Sequence, residues 1–401
     1  MEVMTILNVF DIVLMALCTI EILYLFYFSL MSLFKCKELK QTSKSDVRIA
    51  VLVPAYNENF VIFKCVEAIL NSDYPKHLYD VVVISDHNED EVNRRLKEFD
   101  INVLIPTFDN SSKAKSLILA TDFLSDYSEK KGIKYELITI LDADNIISKD
   151  YLKIVTSVAF EDNMVALQAH RIAKNRNTPT AVLDSLSEEM NNSIFRKGHV
   201  NSGLASALIG SGMVFKYDWF SANIYGISST GEDREIEGVL LKQGNYIAYL
   251  NDLYVLDEKI SSSSAFYNQR RRWMSAQVEM LFKSLRFVPK ALIVCNFNFC
   301  DKVIQWVFLP RSVLLGLVVL MNIVVPFIHN LIIPYLWLYL LILLLLSLLL
   351  AIPRKMYDKN LFKALIYIPY LIVLMILNLF RMKGAVNNFI HTEHTHDEES
   401  N

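Results

Sequence analysis

The apolar rhythm of the chain changes twice. From Thr5 to Phe34 nearly every position is apolar, with Asp11 and Glu21 as the charged exceptions. Such a run exceeds the ~20 residues that cross a bilayer. It is too long for a signal-peptide core and lacks a basic start and a clear small-residue cleavage site, so a retained anchor is expected. From about Arg48 short apolar β-branched runs alternate with segments of helical spacing, which predicts a parallel sheet. The predicted strands are Arg48–Ala55, Tyr79–Ser85, Ile101–Ile105, Tyr135–Leu141, Met164–Ala173 and Tyr246–Val255. The predicted helices are Phe60–Leu70, Val92–Phe99, Lys113–Tyr127, Pro179–Lys197 and Glu232–Lys242. Ala205–Lys216 is rich in small residues and contains Gly210-Ser211-Gly212.

Ala265–Val288 reads as a basic amphipathic helix of the kind that lies on a membrane surface. Beyond it come three more apolar runs, about Val303–Ile328, Leu331–Ile352 and Leu361–Phe380. Pro310 and Arg311 blur the start of the first, and Pro369 bends the last. Lys35, Lys37, Lys40, Lys44 and Arg48 follow the first span, which places the middle region on the cytoplasmic side. Arg354, Lys355, Lys359 and Lys363 place the loop between the last two spans there too. Strict alternation then puts the C-terminus outside, while Arg381 and Lys383 argue for inside, so one run is expected to be interfacial or re-entrant.

Composition agrees with this division. The 401 residues are 53% hydrophobic, too apolar for a purely soluble protein, and the excess sits at the two ends. The net charge of −3 says little about partners, and no nucleic-acid partner is expected. Five scattered cysteines without C-x-x-C spacing predict neither disulfides nor zinc.

Candidate chemistry gathers at the C-terminal ends of the predicted strands, the edge where open α/β sheets bind ligands. The run Tyr135–Leu141 ends in Asp142-Ala143-Asp144. Two carboxylates there suit a hard divalent cation held against a diphosphate, or else an acidic turn that caps the next helix. Pro54-Ala55-Tyr56-Asn57-Glu58 ends the first strand, and is either an ordinary turn or a place where backbone meets a nucleotide. Asp86 ends the second, as a cap or as an acceptor for a base or ribose. Ser111-Ser112-Lys113 opens a helix whose N-terminus attracts phosphate, with Lys113 as an added charge or a solvated lysine. Thr230-Gly231-Glu232-Asp233 starts another helix and offers a carboxylate for an acceptor proton or a first-turn cap. In Gln269-Arg270-Arg271-Arg272-Trp273 a guanidinium suits a diphosphate and an indole offers a flat face for a sugar; the same stretch also reads as a membrane-surface helix.

Taken in order, Pro54–Glu58, Asp86, Asp142-Ala143-Asp144, Glu232-Asp233 and Gln269-x-x-Arg272-Trp273 resemble the motif set of the processive, membrane-bound family-two glycosyltransferases. These include cellulose, chitin, hyaluronan and poly-N-acetylglucosamine synthases. The resemblance implies an α/β GT-A domain with a mostly parallel sheet plus α-helical transmembrane segments. It implies an inverting, metal-dependent transferase moving a sugar from a nucleotide donor, most often a UDP-sugar, to a growing glycan or lipid-linked acceptor. Pro54, Ala55, Tyr56, Glu58, Asp86, Lys113, Asp142 and Arg272 would bind the nucleotide sugar. Asp144 and Asp142 would hold Mg²⁺ or Mn²⁺, Asp233 would be the general base, and Trp273, Gln269, Gly212 and Glu232 would meet the acceptor. Departures are the single Asp86 between Ser85 and His87, where many members carry two adjacent aspartates, and Ser112 where a glycine is usual. No cyclic-dinucleotide-binding extension is expected.

The expected organisation is an anchor and basic linker (1–47), a cytosolic catalytic domain (48–260), interface helices (261–302), C-terminal transmembrane helices (303–383) and a His-rich tail (384–401). The tail's His391, His394 and His396 read as a metal tract or as a mobile solvated end. The whole would be a multi-pass cell-membrane protein with a cytoplasmic catalytic domain and the bilayer as a partner. Two rival readings are a single-transfer enzyme acting on a polyprenyl phosphate and a membrane transporter or scaffold with a degenerate nucleotide-sugar fold.

Overall fold

A computed structural model describes residues 2–161, 163–229, 231–327 and 334–380. The His-rich tail, Arg381 and Lys383 lie outside the described residues. The middle of the chain builds one eight-stranded sheet in the order β3-β2-β1-β4-β7-β6-β8-β5. The strands are β1 (Ile49–Tyr56), β2 (Tyr79–Asp86), β3 (Asn102–Leu104), β4 (Leu137–Ile140), β5 (Ile146–Ile147), β6 (Met164–Ala173), β7 (Met213–Lys216) and β8 (Tyr246–Asp257). Residues Ile49 to Val53 are fully buried. Val51 and Val53 pack on one face and Ala50 and Leu52 on the other, the signature of a strand covered on both sides.

The sheet is mixed, which corrects the mostly parallel sheet expected from the sequence. Four neighbouring pairs run parallel and three antiparallel. The reversal has a topological cause. β6 ends at the edge that carries the candidate residues, and the chain then folds the helix Pro179–Asn191 and a π-helical turn Asn192–Gly198. It enters β7 through Gly210-Ser211-Gly212, beside Lys113 and Asp233 at that edge. A strand entered from the edge where its predecessor left must run the opposite way. β7 therefore sits antiparallel between β4 and β6.

The helix Glu2–Met31 turns Ile6, Phe10, Val13, Leu17, Ile20 and Tyr27 outward. Asp11 and Glu21 face inward. Asp11 accepts a hydrogen bond from Trp337 Nε1 at 2.9 Å, and Glu21 accepts one from the Leu309 amide at 3.2 Å. The Tyr24 hydroxyl donates to Asp301 at 2.7 Å, and Phe28 stacks on His199 at 3.8 Å. Among the described residues, Ile6–Met31 and Lys359–Asn378 are long and apolar enough to cross a membrane. Phe297–Val307 and Arg311–Phe327 form a pair bent by 55°. The bend falls at Pro310, which lacks the amide a continuous helix requires. The helix Pro334–Ala351 is apolar but shorter.

Candidate active site

The strand ends converge on one cavity of about 610 Å³. β1 contributes Pro54, Ala55 and Tyr56, with Glu58 just beyond, and β2 contributes Asp86. At both ends the chain turns through a left-handed residue, Asn57 and His87, and the Asn57 amide donates to the Asp86 carbonyl at 3.0 Å. The buried Asp86 carboxylate lies 2.6 Å from His87 Nδ1. The Glu58 amide donates to Asn88 Oδ1 at 2.6 Å, so the two loops hold each other.

Asp142 and Asp144 follow β4. The link between them and the rest of the edge is Asn145, which the sequence reading passed over. Its Oδ1 accepts from the Asp142 amide at 3.0 Å. Its Nδ2 donates to Asp144 Oδ1 at 3.1 Å and to Asp257 Oδ1 at 3.3 Å. Asp257 was also missed. It ends β8, two residues past the predicted strand end at Val255, and the β5–β8 pairing of Ile147 with Val255 carries it across to Asp144. One carboxylate oxygen from each of Asp142, Asp144 and Asp257 lies within 4.8 Å of the others. An all-oxygen set of three carboxylates is the donor chemistry of Mg²⁺ and Mn²⁺, so these residues fit a hard divalent cation.

Cations balance this acidic centre. Lys113 opens the helix Lys113–Lys131, capped by the Ser112 hydroxyl. Its ammonium pairs with Asp142, donates to the Gly210 carbonyl at 2.8 Å and lies 3.6 Å from Glu232. Burial alone would lower the Lys113 pKa, but Asp142 and Glu232 outweigh it and hold it above its ordinary value. Arg171 reaches Asp257 at 3.5 Å and Asp142 at 3.8 Å and is anchored by Glu188 at 2.6 Å. Lys259 pairs with Asp257 at 2.6 Å and with Glu188. In that pair burial pushes the Asp257 carboxyl up and the Lys259 ammonium down.

Glu232 and Asp233 start the helix Glu232–Lys242 on the opposite side of Lys113. Burial raises Glu232 to about 7, against the pull of Lys113. Asp233 accepts its neighbour's amide, Arg234 N, at 2.8 Å. Gly210 has φ +78°, and a Cβ there would stand 3.6 Å from Asp233 Oδ2 and 3.8 Å from Lys113 Nζ. The helix Ser263–Leu285 closes the cleft with Gln269, Arg272 and Trp273. Arg270 stacks on the Trp273 ring at 4.2 Å, and the Trp273 carbonyl accepts from Arg234 at 2.7 Å. Gly231 has no side chain because a Cβ there would press on Ala276 at 2.7 Å.

Every candidate residue but one thus lines the same cavity. The exception is Gly212. Its amide donates to Ile140 O and its carbonyl accepts from Ala169 N, so it sits inside the sheet, while Gly210 lines the wall. The chemistry available is a carboxylate cation site, flanking ammonium and guanidinium groups, a carboxylate pair at a helix start and an aromatic wall.

The family described as Glycosyltransferase like family 2 matches residues 47–276, more than half of the chain. The probable glycosyltransferase YdaM of Bacillus subtilis is 30% identical over 115 residues, covering 27% of this chain and 26% of that protein. Glycosyltransferase GlyA of Streptococcus pneumoniae is 23% identical over 248 residues, covering 59% of this chain and 34% of GlyA. The chain therefore spans only about a quarter to a third of these relatives' lengths. Among solved structures, the mannosyltransferase PcManGT of Pyrobaculum calidifontis, in complex with GDP-Man and Mn²⁺, superposes with a TM-score of 0.51 at 18% identity. That match covers 88% of this chain and 99% of PcManGT. It shows a shared GT-A fold.

Proposed function

Because the chain belongs to the family-2-like glycosyltransferases, we propose that it is an inverting transferase working at the cytosolic face of a membrane. It moves a sugar from a nucleotide donor, a UDP-sugar by the motif set, onto a growing glycan or a lipid-linked acceptor. The observation that carries this reading is the convergence of Asp86, Asp142, Asp144, Asp233 and Trp273 on one cavity.

Asp86, with Pro54–Tyr56, receives the nucleoside. Lys113, Arg171 and Arg272 face the diphosphate, where charge-assisted bonds are strongest. Asp142 and Asp144 hold the cation, with Asp257 as a third carboxylate. When bound, Mg²⁺ or Mn²⁺ there offsets the charge of the departing diphosphate. Asp233 takes the proton from the acceptor hydroxyl as that oxygen attacks the anomeric carbon from the face opposite the diphosphate. Trp273 supports the acceptor sugar, and Glu232, near neutrality in its titration, tunes the charge beside Lys113.

The membrane reading rests on Ile6–Met31 and Lys359–Asn378, together with the outward apolar face of the first helix. The decisive experiment compares Asp233→Asn with the parent in detergent or nanodiscs. Sugar transfer should fall by at least about 10³-fold, with nucleotide-sugar binding and membrane insertion kept. Retained transfer rejects Asp233 as the base.

A further inference from the structure

The cavity does not end at the acidic centre. It continues past Arg270, Arg196 and Arg311 to an apolar wall of Leu315, Leu348, Ile368, Leu371, Ile372 and Met375. The three guanidiniums at this junction are unevenly compensated. Arg270 pairs with Asp184, yet its Nε is buried without a partner. Arg196, 3% exposed, is held only by neutral oxygens, Asn192 Oδ1 at 2.8 Å and the Ala207 carbonyl at 3.2 Å. Its place in the wall comes from the π-helical turn Asn192–Gly198, a distortion often kept for function. One nitrogen of Arg311 bonds to Asn191 Oδ1 at 2.8 Å and to the Ser187 carbonyl at 2.9 Å. The other, Nη1, is buried with no partner. Among the described residues neither Arg196 nor Arg311 forms an ion pair with a carboxylate.

Glu237 and Asp233 act on Arg196 only at a distance, without an ion pair. Glu237 pairs with Lys302 at 2.9 Å, and Glu21 receives the Leu309 amide. The Arg196 and Arg270 charges act on Arg311, so both repel it. Burying guanidinium nitrogens without a paired carboxylate is costly unless an anion completes the site. Guanidinium forks lining one cavity suit a group with several oxygens, as phosphate has. In the function proposed above the donor diphosphate already has Lys113, Arg171 and Arg272. The adjoining wall is apolar.

Resting on the function proposed above, we propose that the acceptor is a lipid whose phosphate sits against Arg196, Arg270 and Arg311. Its chains lie along the Leu315–Met375 wall, and a hydroxyl of its head group reaches Asp233. In the transfer this hydroxyl oxygen bonds to the anomeric carbon and gives its proton to Asp233. The bond from that carbon to the diphosphate breaks, and the nucleoside diphosphate leaves with the electron pair.

The test uses the full chain purified in a neutral detergent. It compares retention of labelled phosphatidylglycerol, which carries both a phosphate and free hydroxyls, with that of diacylglycerol of the same chains. Inorganic phosphate serves as competitor, and nucleotide affinity is read in parallel. Phosphatidylglycerol should bind at least about tenfold more tightly than diacylglycerol. Arg311→Gln should remove most of that difference, and Arg311→Lys should restore part of it. Equal retention of the two lipids, an unchanged preference in Arg311→Gln, or full displacement by equimolar inorganic phosphate overturns the proposal. If Arg311→Gln has lost nucleotide binding as well, it is misfolded, and the comparison of the two lipids on the parent protein decides. Failure of lipid preference with nucleotide binding intact rejects this inference alone; failure to bind any nucleotide sugar rejects the function on which it rests.

Discussion

The Lys113 ammonium lies 3.6 Å from Glu232 while paired with Asp142, so one cation bridges the sides of the cleft proposed for the metal and for the acceptor. Removing it leaves the buried Glu232 without its cation and Asp142 with only Arg171 at 3.8 Å, in the place proposed for the diphosphate. Lys113→Met should weaken nucleotide-sugar binding by roughly 10–100-fold. Isothermal titration with the donor and with the free nucleoside diphosphate would read the change, and a loss under about threefold would show that Lys113 does not face the diphosphate.

Glu232 makes the same region sensitive to pH. Its folded value, about 7, lies above the ordinary glutamate value of about 4.3. The native state therefore binds the extra proton between these limits. The stabilising contribution is complete below the lower value and is lost as pH rises through about 7. Glu232→Gln keeps the neutral form at every pH. Relative to the parent, the variant should gain on the order of 2–3 kcal/mol between pH 4 and pH 8, read as diverging denaturation midpoints. Parallel pH curves would remove Glu232 as the titrating group.

How much of this was legible in the sequence depends on locality. β1 and β4 showed themselves because their short apolar runs are buried on both faces, and Tyr56, Asp86 and Asp142 follow directly from where such runs stop. β7 stayed hidden: its four residues lie inside a stretch dominated by small residues, and its two strand partners are distant in sequence. The antiparallel insertion, and with it the mixed sheet, could not be read from strand–helix alternation. Arg196 fell within a helical pattern predicted to run from Pro179 to Lys197. The α-helix stops at Asn191 and a π-turn follows, changing which face each later side chain takes. Asn145 and Asp257 act through a pairing of two-residue strand β5 with β8, too short to leave a periodic signal.

Asp257 gives the clearest test of that missed pairing. As a third carboxylate within 4.8 Å of Asp142 and Asp144, it should bind the cation together with them. Asp257→Asn keeps the shape and a neutral oxygen but leaves Lys259 and Arg171 with less counter-charge. Mn²⁺ affinity, followed by the loss of the free-ion electron paramagnetic resonance signal, should fall at least about tenfold. Chelation of the parent by EDTA should abolish binding of the diphosphate more strongly than binding of the nucleoside. An Asp257→Asn protein with parental Mn²⁺ affinity would confine the site to Asp142 and Asp144.

The last test concerns how the first helix is fastened to the catalytic domain. Gly198 closes the π-turn, and a Cβ at this position would collide with the Phe28 carbonyl and stand 3.1 Å from the Ser193 carbonyl. The contact is between backbones, so no rotamer change relieves it. On the same surface Phe28 stacks on His199 and Asn201 Nδ2 donates to the Met31 carbonyl at 3.0 Å. Gly198→Ala should therefore cost about 1–3 kcal/mol through overpacking and loosen Glu2–Met31 while the sheet stays intact. The expected signature is faster protease cleavage between residues 32 and 47, a lower melting temperature and parental nucleotide affinity, because the end of the cavity proposed for the nucleotide is built from β1, β2 and β4. If cleavage stays slow and the melting temperature does not move, the first helix is docked by contacts other than this close backbone approach.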